Sequence, residues 1–186
     1  MSEFVIHTIE TAPEGSRAAL AEAQAKYGAV FNLFGALAES PVAVKAYKAL
    51  GDLFEQGTFT PPERQLLLLT ISAENGCEYC VAAHSAGAAM AALDAQAIEA
   101  VRGDTSIADA RLAALQGFAR DVVRQRGWLS PDRVEAFIAS GFTKAQALEV
   151  IVAVALKTIS NYTNHIAQPP LDAPFAATRW TRRAAA

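Results

Sequence analysis

Helix-start signals recur along this chain, and strand signals hardly appear. In "SPVAVKAY", Ser40 stands at an N-cap position and Pro41 at the first helical position; "SPDRVEAF" repeats the arrangement with Ser130 and Pro131. "TPPERQLLLL" adds a capping box, in which the Thr60 hydroxyl caps the helix and Glu63 reaches back to the Thr60 amide. "TKAQAL" carries the same Ser/Thr-x-x-Glu/Gln pattern in Thr143 and Gln146. Between these starts lie long stretches of Ala, Leu, Glu, Gln, Lys and Arg, all good helix formers.

The reading is an all-α domain with helices near 14–27, 41–55, 61–75, 77–91, 94–102, 106–126, 131–139 and 143–165, and a shorter turn at 30–38. No repeat, low-complexity block or long linker divides the 186 residues, so one domain spans 1–186, with a C-terminal tail from about 172. Two helices look apolar most of the way round. One holds Leu66 to Leu69 and Ile71, and the other begins at Thr143. Such helices must be central, in the monomer or between subunits.

Composition excludes several function classes. The net charge is −3 and Lys and Arg are scattered, so there is no electrostatic footprint for nucleic acid. The basic tail "RWTRR", Arg179 to Arg183, reads as a frayed terminus or a subunit-contact arm. The amino terminus lacks the basic-then-apolar layout of a secretory signal. The apolar run from Ala147 to Leu156 is broken by Glu149 and is well short of the roughly 18 residues of a membrane span. The expectation is a cytoplasmic protein without membrane contact. In that compartment two nearby cysteines point to catalysis or metal binding before a structural bridge.

Both cysteines, and one of the three histidines, fall in "ENGCEYCVAAHS". Asn75-Gly76 is a natural helix stop, because both residues tolerate the left-handed conformation. Cys77 then opens the next helix, and Cys80 and His84 follow at steps of three and four, on one face. The first turn of a helix favours a thiolate over a thiol. His84 is placed to take the Cys80 proton, or to stabilise its thiolate as imidazolium. A nucleophile, a base and a second thiol are the minimum for a peroxide-reducing or disulfide-exchanging dithiol.

Other readings compete. A disulfide between neighbouring turns closes a very small loop and adds little stability. Haem attachment needs His directly after the second Cys, where Val81 stands. A thioredoxin-type motif needs a β/α context. Zinc is the serious rival, with Cys77, Cys80 and His84 as competent ligands and His165 as a fourth, although the spacing is not that of common structural zinc sites.

The stretch "ERQLLLLTISAENGCEYCVAAHSAGA", within a motif core at 61–90, resembles that of the AhpD-like alkylhydroperoxidases of the carboxymuconolactone decarboxylase superfamily. The resemblance implies an AhpD-like helical fold and reduction of a hydroperoxide. It further implies that Cys80 is the peroxidatic cysteine, Cys77 the resolving one that forms a disulfide with it, and His84 part of the proton relay. It also implies a homo-oligomer, a trimer or hexamer, with the site near a subunit interface. The family relay often includes a glutamate twelve residues before the first cysteine, and Gln65 stands there. Glu63 and Glu74 are the nearby replacements, although a capping box explains Glu63 and a solvated helix end explains Glu74.

Tyr79 stands between the cysteines, where the best-known peroxidases carry histidine; it shapes the pocket, donates a hydrogen bond or simply packs. His165, with Asn161 and Asn164, is a weaker candidate for lining the pocket, since a histidine near a helix C-terminus is already explained by the dipole. His7 carries no signal. No G-x-G-x-x-G fingerprint is present, so no nucleotide cofactor is expected, and the electrons come from an external dithiol or protein donor. Besides zinc, the remaining alternatives are a structural oligomer without turnover and lactone chemistry of the decarboxylase kind.

Overall fold

A computed structural model describes residues 4–182. Among the described residues the chain is all-helical: α1 (Glu14–Tyr27), α2 (Asn32–Leu37), α3 (Pro41–Glu55), α4 (Pro61–Glu74), α5 (Glu78–Met90), α6 (Ala95–Arg102), α7 (Ala110–Arg124), α8 (Pro131–Ala139), α9 (Lys144–Ala167) and a short 3-10 helix, Ala173–Thr178. The starts follow the expected chemistry. Ser40 and Ser130 cap α3 and α8, and both capping boxes, Thr60/Glu63 and Thr143/Gln146, are closed.

The differences have local causes. α7 begins at Ala110 and not near 106, because the Asp109 carboxylate caps the Leu112 amide while Ile107 is buried ahead of it as an anchor. α9 runs on to Ala167, where Gln168 takes the left-handed conformation and closes it.

α4 is the hub. It packs against α5, α6, α7 and α9, and Leu66, Leu67, Leu69 and Ile71 are fully buried. This core continues into the stacked rings of Phe118, Phe137 and Phe142, whose centroids are 4.0 and 4.4 Å apart in sequence order. A second apolar cluster gathers α1, α2 and α3 around Ala19, Leu20, Leu33, Phe34 and Val44. Cys77, Tyr79 and Cys80 belong to this second cluster, so the motif lies where the two cores meet.

No single helix is long and apolar enough to cross a membrane. Glu149, which breaks the apolar run, accepts from the Thr58 amide (2.9 Å) and hydroxyl (3.1 Å) and holds α9 against the α3–α4 turn. The basic tail is not frayed up to Arg182. Arg102 donates to the Thr178 (2.9 Å) and Arg179 (3.1 Å) carbonyls, and Trp180 Nε1 donates to the Arg102 carbonyl at 2.9 Å. Arg183, counted with that tail in the sequence, lies outside the described residues.

Candidate active site

The end of α4 sets the position of the dithiol. Gly76 takes φ +67°, its amide reaches the Ala73 carbonyl (3.0 Å), and the Cys77 amide reaches the Ser72 carbonyl (2.9 Å). This is a Schellman closure, which requires the left-handed residue to be Gly76. Asn75, which also tolerates that conformation, stays right-handed at φ −76°. Its side chain instead donates to Asn161 Oδ1 at 2.8 Å and ties the turn to α9.

Cys77 is the N-cap of α5 and Cys80 lies in its first turn; both are buried and unbridged. The surroundings of the sulfurs come from α9. Asn164 Nδ2 donates to Cys80 Sγ at 3.1 Å and lies 3.6 Å from Cys77 Sγ. Lys157, Ser160, Asn161 and Asn164 stand at i, i+3, i+4 and i+7, so they share one helix face, and all are buried. Burial opposes ionisation of Cys80. The hydrogen bond from Cys77, the Lys157 charge and the Ser160 and Asn161 side chains outweigh it and bring Cys80 down to about 5. Cys77 is pushed up, first by the hydrogen bond it gives Cys80 and then by burial. The pair is thus one thiolate and one thiol, with the charge on Cys80.

His84 lies between two partners, Gln65 Oε1 at 3.1 Å from Nδ1 and Lys157 Nζ at 2.8 Å from Nε2. Lys157 only donates and the Gln65 carbonyl only accepts, which assigns the proton to Nδ1 and the lone pair to Nε2. Burial first, and the Lys157 charge second, hold His84 well below its ordinary value. His84 is therefore neutral, which fits the first of the two roles weighed for it, taking the Cys80 proton, and not the imidazolium; the cation beside Cys80 is Lys157. Lys157 is 1% exposed and, among the described residues, makes no ion pair with a carboxylate.

The replacement carboxylates are engaged elsewhere. Glu63 closes the capping box and pairs with Arg111 (2.9 Å). Glu74 pairs with Arg120 (3.0 Å) and Arg124 (2.6 Å) on α7, so the solvated helix end is corrected to a charged clamp between α4 and α7. Gln65 alone of the three touches His84. Tyr79 both packs and bonds: its ring meets Phe175 edge-on, and its hydroxyl donates to Asp172 and accepts from the Leu33 amide (3.3 Å). His165 is exposed at the end of α9 beside Tyr162 and lines neither cavity described below. The ligands weighed for zinc therefore do not converge, and among the described residues no three His, Cys, Asp or Glu side chains gather in a metal-binding arrangement.

Lys157 is the residue that sequence reasoning missed. The signal was present as a lone charge in the apolar run "VAVALKTISNY", at helical spacing from Asn161 and Asn164. Two cavities flank the pair. The larger, about 1060 Å³, is lined by Cys80, His84, Lys157 and Gln65 together with aromatic walls that include Phe34 and Phe175. The smaller, about 250 Å³, is lined by Cys77 and Asn164.

This all-helical, cysteine-bearing domain has solved counterparts. Residues 41–121 match the model of the carboxymuconolactone decarboxylase family. The chain superposes on an alkylhydroperoxidase AhpD core from Ralstonia eutropha JMP134, an uncharacterized peroxidase-related protein, with TM-score 0.81 and 25% identity, over 94% of this chain and 96% of that one. A peroxidase-related protein from Silicibacter sp. TM1040 gives TM-score 0.77 at 20% identity, covering 94% and 95%. The debrominase Bmp8, solved with 2,3,4-tribromopyrrole, gives 0.77 at 15% identity over 96% of each chain. No curated protein matches the sequence. The chain is AhpD-like in fold, and its residues 41–121 are similar to the carboxymuconolactone decarboxylase family.

Proposed function

We propose that this chain is a thiol-dependent oxidoreductase that reduces an organic hydroperoxide through Cys80. The observation that carries the reading is the asymmetry of the buried pair. Cys80 is held as a thiolate by Asn164 and Lys157 at the wall of the larger cavity, while Cys77 beside it stays a thiol. The thiolate attacks an oxygen of the hydroperoxide and the O–O bond breaks. The alkoxide leaves as an alcohol with a proton from the Lys157–His84 chain, and Cys80 becomes a sulfenic acid. The Cys77 thiol then attacks that sulfur, water leaves and a Cys77–Cys80 disulfide forms. A dithiol donor resets the pair. The large, aromatic-walled cavity favours a bulky apolar hydroperoxide over hydrogen peroxide.

The test is consumption of cumene hydroperoxide in the presence of dithiothreitol. Cys80→Ser should abolish it, and undiminished turnover in that variant would sink the assignment. Mass spectrometry after one equivalent of peroxide should find the disulfide, with no sulfenic acid persisting at Cys77.

The same cavity supports a second reading, the two-electron reduction of an apolar aromatic molecule by the same dithiol. Release of halide from a brominated pyrrole, dependent on Cys80, would favour it over peroxide reduction. Assembly into a homo-oligomer belongs to this proposal too, because α9 turns the apolar side chains of Leu148, Ile151, Tyr162 and Ile166 to solvent.

A further inference from the structure

We infer that the reductant enters on the opposite side of the dithiol from the oxidant: a slender alkyl dithiol occupies the smaller cavity and attacks Cys77 Sγ. The inference rests on the reading of Cys77 and Cys80 as a redox pair and names the donor's site, its point of attack and its shape.

Geometry separates the two sulfurs. Cys80, His84 and Lys157 line the larger cavity and Cys77 does not, whereas Cys77 and Asn164 line the smaller one and Cys80 does not. Tyr79 is the one residue common to both linings and acts as the partition. Its ring is pinned from two directions, through Asp172 on the tail and the Leu33 amide of α2. The far wall is equally built. Trp180 and Arg179 are set in place through Arg102, and the Arg182 amide donates to Glu78 at 3.1 Å.

A buried acceptor without a partner is already in place. Asn164 is buried, its amide nitrogen is committed to Cys80, and its Oδ1 makes no hydrogen bond. An orphaned buried carbonyl of this kind is costly unless something supplies a donor. The second, still protonated S–H of a dithiol at the Cys77 wall is such a donor.

Exchange chemistry selects the same sulfur. A thiolate that attacks a disulfide expels the other sulfur, and the more acidic thiol leaves faster. Attack at Cys77 expels Cys80 as the thiolate, directly into the Asn164 and Lys157 surroundings that stabilise it. Attack at Cys80 would have to expel Cys77 at the smaller cavity, which Lys157 does not line, with its sulfur 3.6 Å from Asn164 Nδ2 against 3.1 Å for Cys80.

The balance is complete. One deprotonated end of the dithiol bonds to Cys77 Sγ, the Cys77–Cys80 bond breaks and Cys80 leaves with the electron pair. The donor's second sulfur, losing its proton, then attacks the donor sulfur of the mixed disulfide. Cys77 leaves and takes up a proton, and the donor departs as a cyclic disulfide, two electrons poorer. A dithiol completes this within one visit, since its second step is intramolecular. At about 250 Å³ the cavity falls below the roughly 300–1,000 Å³ typical of drug-sized ligands, so it admits a thin chain and excludes a bulky thiol.

The experiment forms the disulfide with diamide, so that it is readable whether or not the chain reduces peroxides. The oxidised protein is pulsed with β-mercaptoethanol, acid-quenched, alkylated with N-ethylmaleimide and sequenced by fragmentation mass spectrometry. The expected product carries mercaptoethanol on Cys77 and maleimide on Cys80; mercaptoethanol on Cys80 overturns the inference. As a second measurement, Leu171→Trp narrows the smaller cavity. It should slow dithiothreitol reduction of the disulfide about tenfold relative to oxidation of the dithiol, because exchange depends on access to the attacked sulfur. An unchanged ratio also overturns it. A Cys77 adduct in a chain that consumes no peroxide leaves this inference standing and removes the peroxidase reading alone.

Discussion

α4 and α9 look alike as strings of letters, each apolar most of the way round, yet the fold uses them in opposite ways. α4 is buried on all sides from Leu66 to Ser72 and fills the core. α9 is divided: Val150, Ala153 and Leu156 pack into the core, but its buried face goes on to carry Lys157, Ser160, Asn161 and Asn164, and its outer face exposes Leu148 (65%), Ile151 (51%), Tyr162 (54%) and Ile166 (69%). A buried polar face is costly unless each group is used, and here the Cys80 thiolate is what uses it. The difference teaches that one apolar helix serves packing while the other presents a charged, polar face to the cysteine pair.

The sharpest break of the comparison is on α4. Leu67→Ala should cost about 2–5 kcal/mol in urea unfolding, since Leu67 is fully buried and its site cannot collapse freely. On α9 the sensitive group is the buried charge. Lys157→Met should lower stability at neutral pH, because removing one partner leaves the buried Cys80 charge without its cation. It should also raise the midpoint of Cys80 alkylation by about one pH unit or more, equal to about 1.4 kcal/mol per unit. A midpoint that does not move would remove Lys157 from the site.

Stability itself should follow the thiolate. The unfolded Cys80 thiol titrates at its ordinary value of 9.0, the folded one at about 5. Between these limits the unfolded chain holds the extra proton, so this contribution is full above the window, falls as pH drops through it and is gone below it. Cys77, shifted upward, loses its own contribution only above its ordinary value, outside the window. His84, shifted downward, adds to the loss in acid. Urea midpoints should rise with pH across this range, and Cys80→Ser should flatten the slope.

Gln65→Glu returns a carboxylate to α4. The new charge beside His84 Nδ1 should move the histidine's NMR titration upward, although Lys157 opposes it. An unmoved titration would show that the Gln65 contact does not govern His84. The smallest effect belongs to the outer face of α9. Ile151→Ser should change chain stability by no more than about 0.5 kcal/mol, while sedimentation reports whether that face holds copies together.

Capping chemistry made the helix starts legible at Ser40, Thr60, Ser130 and Thr143, because caps are local and act within a few residues. The spacing of Cys77, Cys80 and His84 was legible for the same reason. The clamping of Glu74 by α7, the pinning of Tyr79 to Asp172 and the exposure of His165 were not, since each depends on elements far away in the chain.

The sequence by itself therefore determined an all-α chain, its helix starts, a pair of cysteines at the start of a helix and the absence of a carboxylate at Gln65. Only the tertiary structure decided which charge faces the sulfur. A lone Lys157 in an apolar run has no partner within reach along its own helix. It becomes the thiolate's cation because α9 packs its polar face against α5, a contact between residues 73 positions apart at the His84–Lys157 hydrogen bond.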